Sequence, residues 1–239
     1  QLLSCNTVKQ VRSLQIDQND QGWPLMRKQL LRAVLRNMDF NLIISGATPF
    51  SGEHGLAYDE SRLAPAELPA LMEESIRFIT KKLKQQGWRP HAVLIKDYYQ
   101  PLNLEEYKYH PFPFMPNMTM EIPAEWNTAE DYLDDMKSKY RVRARRSFKK
   151  AESVDVREFS FSEMVAYEEQ IHQLYCAVEE KADFSMIRIP RDYFTGLKES
   201  MPDKMRLFAY LHEGQLIGFF TTLRNGPELE AHFIGLNEE

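Results

Sequence analysis

The chain has 239 residues, 43% of them hydrophobic, and a formal net charge of −5. That length and apolar content suffice for one large packed domain or two small ones, and the acidic balance excludes a protein whose main task is wrapping nucleic acid. No apolar run approaches the roughly 20 residues of a membrane-spanning helix, the N-terminus lacks the layout of a secretion signal, and Cys5 and Cys176 lie far apart, so a cytoplasmic, reducing compartment with both thiols in the core is expected.

In chain order, Val8 to Ile16 reads as a first strand, and Leu30, Leu31, Val34, Leu35 and Met38 recur at helical spacing after Pro24. Asn41 to Ser45 is a buried strand running into the loop Gly46 to Gly55. Leu68, Leu71, Met72, Ile76, Ile79 and Leu83 trace one face of a helix from Pro65 to Lys84, stopped by Gly87, and His91 to Lys96 is a short apolar strand. Strand, helix, strand, helix, strand is an α/β unit. An aromatic passage with four prolines between Pro101 and Pro116 follows, in which Met115 to Ile122 is expected to extend beside a sheet.

The boundary between two lobes, residues 1–125 and 126–239, is placed just beyond that passage. Asn127 or Thr128 caps the next helix, whose stripe of Leu133, Met136, Tyr140, Ala144, Phe148 and Ala151 leaves eight cations between Lys137 and Lys150 off the apolar face. Ser160 and Glu163 have capping-box spacing ahead of Met164, Tyr167, Ile171, Leu174, Tyr175 and Val178, and a shorter helix opens at Pro190. From Met205 to Leu236 three apolar segments are separated by turns at Glu213-Gly214 and Asn225-Gly226, the pattern of an antiparallel meander. The chain opens on Gln1 and closes directly behind that last strand, so it is expected to be a piece of a longer reading frame with the second lobe incomplete.

Two helices followed by a meander with Gly218 inside its second strand resemble the first half of a GNAT acyltransferase domain. The stretch YHPFPFMPNMTMEIPAEWNTAEDYLDDMKSKYRVRARRSFKKAES, with ISGATPFSGEHG, LYCAVEEKADFSMIRIPRDYFTGLKE and LEAHFIGLNEE, is similar to an uncharacterised bacterial peptidoglycan-biosynthesis-type group related to the Fem-type aminoacyltransferases. The resemblance covers most of the chain. It implies two GNAT-like α/β lobes with mixed, largely antiparallel sheets flanked by helices, and transfer of an acyl or aminoacyl group from acetyl-CoA, another acyl-CoA or a similar donor to an amine, such as a cell-wall precursor. A charged tRNA is the donor used by the Fem-type relatives. The loop that binds the CoA pyrophosphate in GNAT enzymes, Gln/Arg-x-x-Gly-x-Gly/Ala at a helix N-terminus, is absent from this sequence. A non-catalytic module of the same fold, holding a cell-wall precursor or a protein partner, is the alternative.

Acyl transfer to an amine needs a base and a donor for the oxyanion. Glu230 and His232 alternate on the last strand and so project from one face, the candidate catalytic pair; the other reading is a solvated carboxylate and a hydrogen-bonded sheet histidine. Candidate substrate contacts are Glu53 and His54 in the glycine-rich loop, Lys96 and Asp97 at a strand end, Tyr109 in the aromatic passage and Phe219 in the meander, against structural roles as a turn, an ion pair and core packing. Arg141, Arg143, Arg145 and Arg146 on the basic helix form an anion site, a nucleic-acid patch or a solvated face. The six histidines lack ligand spacing and no metal is expected, nor is any hydrolase, zinc-protease or dinucleotide motif present.

Overall fold

The computed structural model describes residues 3–9, 39–59, 61–98, 102–111, 118–182 and 188–237. They form an α/β protein that divides into two compact units, residues 1–117 with 182–188, and residues 118–181 with 189–239. The division falls earlier in the chain than residue 125.

The first unit holds strands β1 (Leu3–Lys9), β2 (Asp39–Ser45) and β3 (Ala92–Ile95) in that order, β1 antiparallel and β3 parallel to β2. The first strand begins earlier than Val8; residues 10–16 and the helix expected around Leu30 to Met38 lie outside the described residues. Ile43 and Ile44 are adjacent in β2, point to opposite faces, and are both fully buried, so this strand is covered on both sides. Helix α1 (Leu68–Gln85) lies between β2 and β3 in the chain and buries Leu68, Met72 and Ile76 at helical spacing. Asn41 fixes the entry to β3: its N–H donates to Nδ1 of His91 at 2.9 Å and its carboxamide to the Arg89 carbonyl at 3.0 Å.

The second unit is a four-stranded antiparallel sheet in the order β4 (Asp155–Glu158), β5 (Met205–His212), β6 (Gln215–Asn225) and β7 (Glu228–Leu236). The meander is the one expected from Met205 to Leu236. Period-two alternation buries Met205, Leu207, Ala209 and Leu211 of β5. Helices α5 (Glu168–Lys181) and α6 (Tyr193–Ser200) supply Ile171, Leu174, Tyr175 and Phe194 to this core, where Phe194 meets Phe219 edge-on at 5.2 Å. Fully burying each such ring stabilises the fold by about 1.5–3 kcal/mol.

Three expectations are corrected and one strand is added. Residues 118–122 form no strand, with Met118, Met120 and Ile122 exposed; residues 115–117 lie outside the described set. The helix expected from Thr128 to Ala151 is two, α2 (Ala129–Asp135) and α3 (Ser138–Lys150), because Met136 adopts extended backbone. The break is supported chemically, since Arg141 donates to the Asp134 carbonyl at 2.8 Å and so satisfies a terminal acceptor of α2. The next helix is likewise interrupted at Tyr167, separating α4 (Phe161–Ala166) from α5. Strand β4 is an addition: its residues Asp, Val, Arg, Glu are all exposed and carry no apolar alternation.

Candidate functional site

Strand β7 does not pair regularly with β6. Phe220 faces Ile234 and Thr222 faces Ala231, so Thr221 is opposed by two residues, His232 and Phe233, a β-bulge that re-aims side chains. The buried Thr221 hydroxyl holds the bulge: it accepts the Phe233 N–H at 3.0 Å and donates to the Phe233 carbonyl at 3.3 Å. With its proton so used, its remaining lone pair accepts Nδ1–H of His232 at 3.3 Å. With the hydroxyl proton so assigned, the imidazole proton is assigned to Nδ1, which leaves Nε2 to accept the phenol O–H of Tyr193 at 3.1 Å. In this arrangement every donor of the group has an acceptor.

Tyr193 opens α6 and packs against His232 at 5.8 Å between ring centroids and against Phe233 at 6.0 Å. Burial, and secondarily the negative charge of Glu230, raise its pKa far above the ordinary phenol value, so Tyr193 keeps its proton and serves as a donor. Glu230 and His232 are both half-buried. The group joins a phenol that holds its proton to an imidazole nitrogen beside it, with the charge of Glu230 acting on that phenol.

The other expected site residues are dispersed. Phe219 is corrected from a substrate contact to a core residue: its ring is fully buried against Phe194. In the first unit, Lys96 turns back over the loop 46–55, with Nζ donating to the carbonyls of Ala47 at 2.9 Å and Phe50 at 2.6 Å and pairing with Asp97 at 2.6 Å. Its three protons have three acceptors, which makes it a latch on the loop. Gly46 is required there, because its φ is +132° and a Cβ would stand 2.5 Å from Cγ of Lys96. His54 is exposed and donates Nε2–H to the Ser51 carbonyl at 2.9 Å, and Glu53 is exposed on the same loop. Burial, and then the charge of Glu53, raise the pKa of Tyr98, whose hydroxyl lies 3.4 Å from that of Ser45. Tyr109 donates to Glu73 of α1 at 3.0 Å, and burial together with that carboxylate pushes its pKa up to about 12.

On α3, Arg141 and Arg145 are turned toward acids of α2: Arg141 reaches Asp134 at 3.7 Å, and Arg145 reaches Asp134 at 3.4 Å and also pairs with Glu130. Arg143 and Arg146 make no ion pair among the described residues. The four arginines are thus not one anion site. Cys176 is half-buried with Sγ 3.7 Å from Nε2 of His172. Among the described residues no group of three His, Cys, Asp or Glu side chains could hold a metal ion, and no helix is long and apolar enough to cross a membrane.

Tyr193 and Thr221 escape sequence reasoning for different reasons. Tyr193 sits in the apolar stripe of its helix and looks like packing. Thr221 left a usable signal: it lies two residues after Phe219, on the core face of β6, and a buried hydroxyl there must find a partner. No protein-family model matches the chain, and a search of curated proteins returns no match.

Proposed function

We propose that this chain is an N-acyltransferase of two GNAT-like lobes that moves an acyl or aminoacyl group from an activated donor such as acetyl-CoA to an amine. The observation that carries the reading is the Tyr193 O–H to His232 Nε2 hydrogen bond at 3.1 Å beside the Glu230 charge. As the amine nitrogen attacks the thioester carbonyl carbon, the carbonyl π electrons move to oxygen. The proton leaving nitrogen goes to the Tyr193 oxygen while the phenol proton passes to His232 Nε2. Glu230 favours the imidazolium so formed. Collapse of the tetrahedral adduct expels the thiolate, which recovers that proton through Tyr193.

The reading stands on proton transfer and not on a donor pocket. Titration calorimetry with acetyl-CoA, paired with a thiol-release assay over a panel of primary amines, tests it. Saturable binding and thiol release that disappears in His232→Ala support acyl transfer. Absence of both sinks the acyl-CoA reading and favours an aminoacyl-tRNA donor or a non-catalytic module that holds a cell-wall precursor.

A further inference from the structure

Among the described residues, α3 is a long helix whose apolar stripe is left exposed. Helix α1 buries Leu68, Met72 and Ile76 and helix α5 buries Ile171, Leu174 and Tyr175, whereas no residue of α3 is buried. Tyr140, Ala144 and Phe148, spaced by four, lie along one face, with Tyr140 54% and Phe148 60% exposed. Helical geometry gathers Lys139, Arg143, Arg146 and Lys150 within about 60° of one another on the polar face, about 130° around the helix from the centre of that stripe. These four make no ion pair among the described residues, while Arg141 and Arg145, on the other side, are tied to Asp134 and Glu130. The segment from Lys137 to Lys150 contains no acid.

We propose that this face of α3 is a contact surface for an anionic phospholipid bilayer. An amphipathic helix with aromatic residues on one face and arginine and lysine beside them lies in the plane of the interface, the rings among the headgroups and the cations on lipid phosphates. The long basic side chains cover apolar surface with their stems while their charges stay in water. Charge complementarity is local: the chain as a whole carries −5, so an anionic surface attracts it through a cationic patch such as this one and not through its net charge. A polynucleotide fits the same face poorly. The two rings stand two helical turns apart, about 12 Å, on a convex surface, and single strands are bound in a groove on rings that stack successive bases.

Flotation of the full chain with vesicles tests the assignment, comparing pure phosphatidylcholine with equal parts phosphatidylcholine and phosphatidylserine. The expected result is flotation with the mixed vesicles, none with the neutral ones, and release by added salt. The double change Arg143→Gln with Arg146→Gln weakens binding about 25-fold, from about fivefold per cation. The pair Tyr140→Ser with Phe148→Ser abolishes it, and because these positions are exposed both variants keep the parent circular dichroism spectrum. Failure of the parent chain to float with mixed vesicles overturns the proposal, as does equal flotation of both variants. Displacement from the vesicles by a single-stranded oligonucleotide that binds the chain more tightly also overturns it, in favour of a nucleic-acid surface.

Discussion

The phenol of Tyr193 donates to Nε2 of His232 across 39 residues of sequence, helix α6 supplying the donor and the bulge of β7 the acceptor. Removing the hydroxyl while keeping the ring isolates this one contact. If the proposed acyl transfer holds, Tyr193→Phe is expected to lower its rate by about 10²- to 10⁴-fold, the range for a positioned acid or base. Stability should fall by only about 1 kcal/mol, the net worth of one hydrogen bond. Steady-state kinetics beside urea unfolding separates the two effects, and an unchanged rate removes Tyr193 from the chemistry.

Thr221 dictates which nitrogen of His232 carries the proton. Thr221→Val leaves the Phe233 N–H and the His232 Nδ1–H without their acceptor, a cost of about 1–3 kcal/mol. It also frees the imidazole to place its proton on Nε2, which then faces Tyr193 as a second donor. Nitrogen-15 spectra distinguish the two ring nitrogens, so the expected result is an Nδ1–H signature in the parent chain and in Thr221→Ser that is lost in Thr221→Val. The same tautomer in all three proteins contradicts this account.

What the sequence revealed and what it hid follow from the range of the interactions. The meander was legible because turn glycines and β-branched or aromatic runs act locally, as does the capping-box spacing of Ser160 and Glu163; the sequence left the next cap open between Asn127 and Thr128, and the structure places it at Thr128. The bulge at His232 was not, because it depends on a cross-strand partner, Thr221, eleven residues away in the chain. Alternation still placed Glu230 and His232 on one side, but the pairing with Tyr193 is tertiary. The sequence reads the basic helix as continuous because its stripe runs unbroken through Met136, whereas the extended backbone of Met136 and the Arg141 contact to the Asp134 carbonyl appear only in the structure.

Gly235 lets β7 pass close beneath helix α5. A Cβ there would stand 2.2 Å from Cε1 of Phe219 and 2.9 Å from the Leu174 carbonyl carbon. One contact is a fully buried ring and the other is helix backbone, so neither yields cheaply. Gly235→Ala should destabilise the chain by about 1–3 kcal/mol through overpacking, seen as a lower urea midpoint with an unchanged slope. A midpoint equal to that of the parent would mean that the strand and helix part easily.

The loop 46–55 depends on the Lys96 ammonium. Lys96→Met keeps the stem and removes all three donors, leaving the Ala47 and Phe50 carbonyls without that partner and Asp97 without its cation. The expected cost is about 2 kcal/mol. It should be local, with faster proteolytic cleavage between Gly46 and Gly55 and little change elsewhere. Cleavage at the parental rate would mean that the glycine backbone holds the loop without the latch.

Glu163 makes the chain sensitive to acid. The Ser160 hydroxyl and N–H, and then Arg157, hold its carboxylate, lowering its pKa from 4.5 to about 2. In the unfolded chain the group takes up its proton near 4.5; in the folded chain it resists until about 2. Between those values the unfolded state binds more protons, so the stability that Glu163 contributes is present above 4.5 and lost as pH falls toward 2. Denaturant unfolding at a series of pH values should therefore slope less steeply through this window in Glu163→Gln than in the parent chain. Parallel slopes would show that the capping box at the start of α4 does not carry this part of the acid response.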